Sequence, residues 1–146
     1  MALIMSKNKS NVKDSSLMLE LLNKILGLEY SLIIYYPRIA SMIRDESARQ
    51  EALQLGSASV QHADTVAKAI AKLGGTPQWS FEPFPDEADM RKIFEKQLEK
   101  ERLAYELHRQ SSNLAPDTTL RDTFTKLAKE EQAHIQTVQS ILARLT

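Results

Sequence analysis

The 146-residue chain has no cysteine, which excludes disulfides, thiolate nucleophiles and iron held by sulfur. It also has no net charge. Lys plus Arg and Asp plus Glu number 19 each, so no overall field draws the protein to nucleic acid or an anionic membrane, and neither partner is expected. Long hydrophobic runs are missing too. The strongest, LIIYY at 32–36, falls far short of the roughly 20 residues that cross a bilayer. The stretch ALIM near the start is too short for the core of a signal peptide, so a cytoplasmic protein is expected. Strand patterning is absent.

What the chain has is helical periodicity. Residues 6–16, SKNKSNVKDSS, are polar and aperiodic, so residues 1–16 read as a flexible segment ahead of one domain at 17–146. Four helical segments follow at about 17–44, 47–73, 86–113 and 117–145. Gly74-Gly75 closes the second and Pro116-Asp117 opens the fourth. Pro37 should kink or split the first. The predicted fold class is all-α, a four-helix bundle.

Each segment carries an apolar stripe in steps of three and four, and each stripe is interrupted near its middle by polar groups. On the first, Met18, Leu22, Ile25, Leu32, Tyr36, Ile39 and Ile43 enclose Glu29. On the second, Ala48, Ala52, Leu55, Val66, Ala69 and Leu73 enclose Ser59 and His62. The third sets Phe94, Leu98 and Tyr105 beside Glu101 and His108. On the fourth, Leu120, Phe124, Leu127, Val138, Ile141 and Leu145 enclose Glu131 and His134.

The turns agree with these stripes. Glu101 and Glu131 are equidistant from Pro116, and Glu29 and His62 straddle the RDES turn, so each pair should meet at one level across an antiparallel hairpin. The interval from Glu29 to His62 equals that from Glu101 to His134, 33 residues, which marks a helix-turn-helix pseudo-repeat. Joining the halves about a pseudo-twofold axis requires parallel second and third helices. The roughly 12 residues between Leu73 and Asp86, at about 3.3 Å each, reach about 40 Å, the length of such a helix. Pro77, Pro83 and Pro85 should keep this crossover extended, and Trp79, Phe81 and Phe84 should fold onto the apolar surface beneath. One long crossover between helices two and three is the ferritin-like connection.

A buried carboxylate must pair, protonate or bind a cation. No inward Lys or Arg is in register with Glu29, Glu101 or Glu131, so a metal ion fits better. Carboxylates and imidazoles in this helical pattern suit iron, manganese or zinc.

The segments LNKILGLEYSLIIYY (22–36), VQHADTVAKAIAKLGGTPQ (60–78), EKERLAYEL (99–107) and KEEQAH (129–134) resemble the ferritin-like superfamily, in its rubrerythrin and bacterioferritin branch, over about residues 17–145. The resemblance implies Glu29, His62, Glu101, Glu131 and His134 as metal ligands, one or two iron ions, and reaction with dioxygen or peroxide. It also implies a homo-oligomer, with a dimer expected. Tyr36, Tyr105, His108 and Ser59 are expected beside the ligands, His108 and Tyr36 each seven residues beyond a ligand glutamate.

Departures from the pattern qualify these expectations. Ser59 stands where a bridging glutamate would complete Glu-x-x-His with His62, so the half holding Glu29 and His62 reads as depleted and the half with Glu101, Glu131 and His134 as competent. Val60 replaces a haem-binding methionine, so no haem is expected, and the absence of a fifth helix argues against cage storage. Glu130, Glu46 and Glu51 are expected on solvated faces. Two functions follow: an iron-handling protein or oxidoreductase, or a non-catalytic bundle with one structural metal or none that works through protein interaction.

Overall fold

Aspartates start three of the four helices. The computed structural model describes residues 2–81 and 86–145, with side chains from Ser15 onward. Helix α2 (Glu46–Lys72) opens with the Ala48 N–H donating to Asp45, α3 (Met90–Leu114) with Arg91 and Lys92 donating to Asp89, and α4 (Thr118–Arg144) with Leu120 donating to Asp117. Each cap satisfies amides that have no partner within the helix, worth about 1 kcal/mol apiece. Helix α1 (Ala2–Ala40) is the long one. Its backbone is helical back through the polar stretch read as a flexible segment, and Met18 is the first buried residue among the described side chains.

Pro37 does not split α1. It lies one turn from the end at Ala40, where little of the hydrogen-bond ladder remains to be broken. Gly56 of α2 sits against this turn, where an added Cβ would meet the Tyr36 Cβ at 3.2 Å, so the missing side chain lets the two helices close around Tyr36. At the end of α2, Gly74 adopts φ 83° and the Gly75 N–H returns to the Ile70 carbonyl at 2.9 Å, the left-handed stop that glycine favours.

Helix α1 packs on α2 and α3, and α4 packs on α3 and α2. The apolar interior falls into two clusters. One joins Met18–Leu28 of α1, the second half of α2, Ala104 and Leu107 of α3, and the first half of α4. The other joins Leu32–Ile43, the first half of α2, Ile93 and Phe94, and the second half of α4. This distribution makes α2 and α3 parallel, as the crossover length predicts. Each fully buried Leu or Phe in these clusters contributes about 1.5–3 kcal/mol, and the clusters hold the helices in register from both ends.

The crossover climbs alongside α1. The Gln78 N–H donates to Asn23 Oδ1 at 2.8 Å, and the Trp79 ring lies 5.2 Å from that of Tyr30. Trp79 is nevertheless 80% exposed and Phe81 44% exposed, contrary to the expectation that they fold onto apolar surface. The reason is position: the strap passes over the outward, half-buried side of α1 rather than into a gap between helices. Pro83, Phe84 and Pro85 lie outside the described residues. Among the described residues no helix is long and apolar enough to cross a membrane, and there is no strand.

Candidate metal centre

Between the two apolar clusters lies a polar layer. Glu29, Ser59, His62, Glu101, His108 and Glu131 are buried, and His134 keeps only 12% of its side chain exposed. Each helix delivers its share because the polar groups replace apolar residues within the inward stripe. On α1 the stripe from Met18 to Ile39 is buried with Glu29 within it, and Ile43, just past the helix end, is buried too. On α3 the inward face is Phe94, Gln97, Glu101, Ala104, His108 and Ser111. That face differs from the expected one: Leu98 and Tyr105 are only half-buried and flank it, while Gln97 and Ala104 are buried in their place.

Glu131 is the hinge of the layer. Its Oε1 lies 2.8 Å from His62 Nδ1 and 3.8 Å from His108 Nε2, and its Oε2 lies 3.3 Å from His134 Nδ1. On one side, Glu29 Oε1 is 3.4 Å from both His62 Nδ1 and His108 Nε2. Glu29, His62, His108 and Glu131 thus place four donor atoms within 4.8 Å of one another, one from each helix. On the other side, Glu101, Glu131 and His134 form a second group of the same compactness, with His134 Nδ1 3.6 Å from Glu101 Oε2. Tyr36 donates its hydroxyl to Glu101 Oε1 at 2.8 Å.

All five residues expected as ligands therefore meet, and His108 joins them. The half expected to be depleted has more donors than the other. The signal for His108 was present in the numbering. Tyr36 lies seven residues after Glu29 and His108 seven after Glu101, so on antiparallel helices a Tyr36–Glu101 contact brings Glu29 level with His108. Ser59 is fully buried, and the helix register sets it level with His134: three residues separate Ser59 from His62 and three separate Glu131 from His134.

Glu130 is the residue that sequence reasoning missed. Expected on a solvated face, its side chain is 40% exposed and its Oε2 accepts from His62 Nε2 at 2.6 Å. A single sequence holds no periodic signal for this, because the contact depends on how closely the edges of α4 and α2 approach. Glu51 likewise pairs with Arg144, while Glu46 is exposed as expected. The His62–Glu130 edge opens into a surface pocket of about 280 Å³, lined also by Gln61, Thr65, Thr123 and Lys126. A larger groove of about 800 Å³ runs beside Leu17–Lys24 of α1 and Gly75–Ser80, away from this layer.

The electrostatics follow from burial. Burial pushes Glu29 up, but hydrogen bonds from His108 and His62 outweigh it and hold the carboxyl well below its usual range. Burial, then the neighbouring Glu101 and Glu29, push Glu131 well above that range. Burial lowers His62 and His134, yet the carboxylates beside them raise the first to about 11 and the second to about 10. Burial and the Glu101 charge raise Tyr36 well above 10 and keep its hydroxyl protonated.

The residues fit a pair of cations. His62 faces carboxylate oxygen at both ring nitrogens, and a neutral imidazole donates from only one, so a proton or a cation must sit between Nδ1 and Glu29 and Glu131. Glu29 Oε2, Glu101 Oε2, Glu131 Oε2, His108 Nδ1 and His134 Nδ1 are buried with no hydrogen-bond partner among the described residues. Oxygen and imidazole donors so arranged suit iron, manganese or zinc.

Residues 19–146 match the Ferritin family, described as a ferritin-like domain. The chain belongs to the ferritin-like family. A solved structure of ferritin-like, diiron-carboxylate proteins from Bacillus anthracis is 25% identical to the ferritin-like chain, with a TM-score of 0.78, covering 88% of this chain and 97% of that one. A Desulfovibrio desulfuricans bacterioferritin, described for its diiron site in different catalytic states, is 22% identical with a TM-score of 0.76, covering 90% and 81%. A Rhodobacter capsulatus bacterioferritin with a metal-free dinuclear site and haem iron is 21% identical with a TM-score of 0.75, covering 88% and 84%. The two bacterioferritins bear on the fold alone. No curated protein sequence matches.

Proposed function

We propose that this ferritin-like protein holds two iron ions, one on each side of Glu131, and couples them to the reduction of dioxygen or peroxide. The observation that carries this reading is the Glu131 carboxylate, which turns one oxygen toward each of two compact donor groups. Glu29, His62 and His108 would hold one ion with Glu131, and Glu101 and His134 the other. The 25%-identical neighbour is described as a diiron-carboxylate protein, which supports iron over zinc.

Iron held here would supply the electrons for reducing dioxygen or peroxide. The chain supplies the setting. Full burial of Glu29, Glu101 and Glu131 excludes bulk water and strengthens each charge interaction. Tyr36 orients Glu101 through its hydroxyl and keeps a protonated O–H in the layer. The pocket at His62 and Glu130 offers one approach from solvent. A cytoplasmic homodimer is the expected setting, with half-exposed Leu17, Ile34 and Val60 as apolar surface for self-association.

Protein purified without chelator should contain iron on elemental analysis. Anaerobic Fe(II) titration of the metal-free form should end near two ions per chain, and the loaded protein should oxidise on adding peroxide. A chain that takes up no ion under these conditions overturns the reading. It would favour the second one, a bundle acting by interaction, for which the proton-bearing His62 and His134 are the specific support, because they balance the buried carboxylates without metal.

A further inference from the structure

The two histidines that follow Ser59 and Glu131 at the same spacing have different outer neighbours. Nδ1 of each faces inward, His62 toward Glu29 and Glu131, His134 toward Glu101 and Glu131. The outer nitrogen of His62, Nε2, is held by Glu130 at 2.6 Å. Four residues separate Glu130 from His134, and four separate Ala58 from His62. In the pseudo-repeat Ala58 therefore holds, ahead of His62, the place that Glu130 holds ahead of His134, so Ala58 is the counterpart of Glu130 on the His134 side. Alanine offers no acceptor, and no hydrogen bond to His134 Nε2 is formed by any described residue.

A carboxylate on the outer nitrogen of a ligating imidazole fixes its tautomer and ring angle and raises the basicity of the inner nitrogen. His62 has this partner and His134 lacks it. The His62 side also has four donors against three. We propose that Glu130 is a positioning residue that locks His62, making the Glu29–His62–His108–Glu131 position the retained one and the Glu101–Glu131–His134 position, with Ala58 as its counterpart of Glu130, the exchangeable one. This rests on the two-ion reading above. It goes beyond it by ordering the two positions and by assigning that order to one residue pair, Glu130 and Ala58.

The test is a titration of the metal-free full chain with Mn(II), reading free ion by electron paramagnetic resonance, beside ¹⁵N spectra of labelled histidines. The wild type should bind in two phases, the first tighter by roughly 10–100-fold, the range that outer partners of ligands command. E130L should weaken the tight phase by about that factor, leave the weak phase in place, and abolish the protected Nε2–H signal of His62. E130Q, whose amide oxygen still accepts, should restore the signal and part of the affinity. A58E should do the opposite, tightening the weak phase and creating a protected Nε2–H on His134, and it decides the matter if E130L fails to fold. Two equal phases in the wild type, or equal weakening of both phases in E130L, overturns the ordering while leaving two-ion binding intact. Failure of the wild type to bind Mn(II) or Fe(II) overturns both.

Discussion

The sides of the layer that meet at Glu131 use the same residue types in different company. One draws a donor from every helix: Glu29, His62, His108 and Glu131. The other draws on α3 and α4 alone, with Glu101, Glu131 and His134, and has the buried Ser59 on the α2 side. Position 59 is where the sequence departs from a Glu-x-x-His motif, and the departure suggests damage to the half that contains His62. In the structure, the side holding His62 nonetheless gathers four candidate donors and the other side three. By register Ser59 falls on the His134 side, where α2 adds no candidate donor, while His108 gives the His62 side a fourth. A bundle presents a side chain to its centre at every turn, so a ligand lost from one helix can be offset from another without any change of backbone.

The comparison breaks most completely at the shared residue. Glu131→Ala removes an oxygen from both groups, and both phases of metal binding should disappear; elemental analysis and Fe(II) titration check this, and survival of either phase would show that the two sides are not joined through Glu131. The next largest effects should be selective. His108→Ala should weaken only the four-donor position, by no less than the roughly 10–100-fold that outer partners cost, and His134→Ala only the three-donor one. Titrating the two variants side by side separates a ligating His108 from one that merely packs on Phe124, 6.1 Å away between ring centres.

A smaller effect is expected at Tyr36. Tyr36→Phe strips the donor from buried Glu101 Oε1 and should destabilise the metal-free protein by about 1–3 kcal/mol in urea titrations. If metal binding is ordered as proposed, the same change should shift the weaker phase and spare the tighter one. Smallest per step, and spread over several pH units, is the alkaline response. His62 and His134 are raised from 6.5 to about 11 and about 10 in the folded chain, so the folded form holds protons that the unfolded form releases. Their contribution is complete below about pH 6.5 and is lost as pH rises through 10 to 11. Melting temperatures of chelator-treated protein should fall across that window. Metal affinity should change the opposite way over the lower part of it, since protons and cations compete for the same nitrogens.

The fold was legible because its signals are periodic. The stripes on α1, α2 and α4, the equal 33-residue intervals and the crossover length all report on a repeat of 3.6 residues, and every inward residue named on α1 is buried. The stripe on α3 was misjudged by one residue at Leu98 and Tyr105, because Glu101 and His108 are compatible with either order of three- and four-residue steps and only packing against α1 and α4 chooses between them. The ligand candidates on the stripes were legible for the same reason. Glu130 was not, since its role depends on the distance between two helix edges, which no spacing within one helix encodes. The aromatic residues of the crossover show the limit of composition: Trp79 and Phe81 are apolar, but the strap that carries them passes outside the bundle.

The division of the apolar interior into two clusters has a consequence for motion. With only the polar layer between them, the two ends of the bundle are packed separately. Cations gripped at that layer would act as a rivet through all four helices, since α1, α2, α3 and α4 each contribute a donor. Ligand linkage adds about 2.7 kcal/mol when free metal stands at 100 times its dissociation constant. Amide hydrogen exchange should then show two units opening at separate free energies in the metal-free chain and a single unit once metal is bound, so that the loading state of the centre is reported by amides in both ends of the bundle.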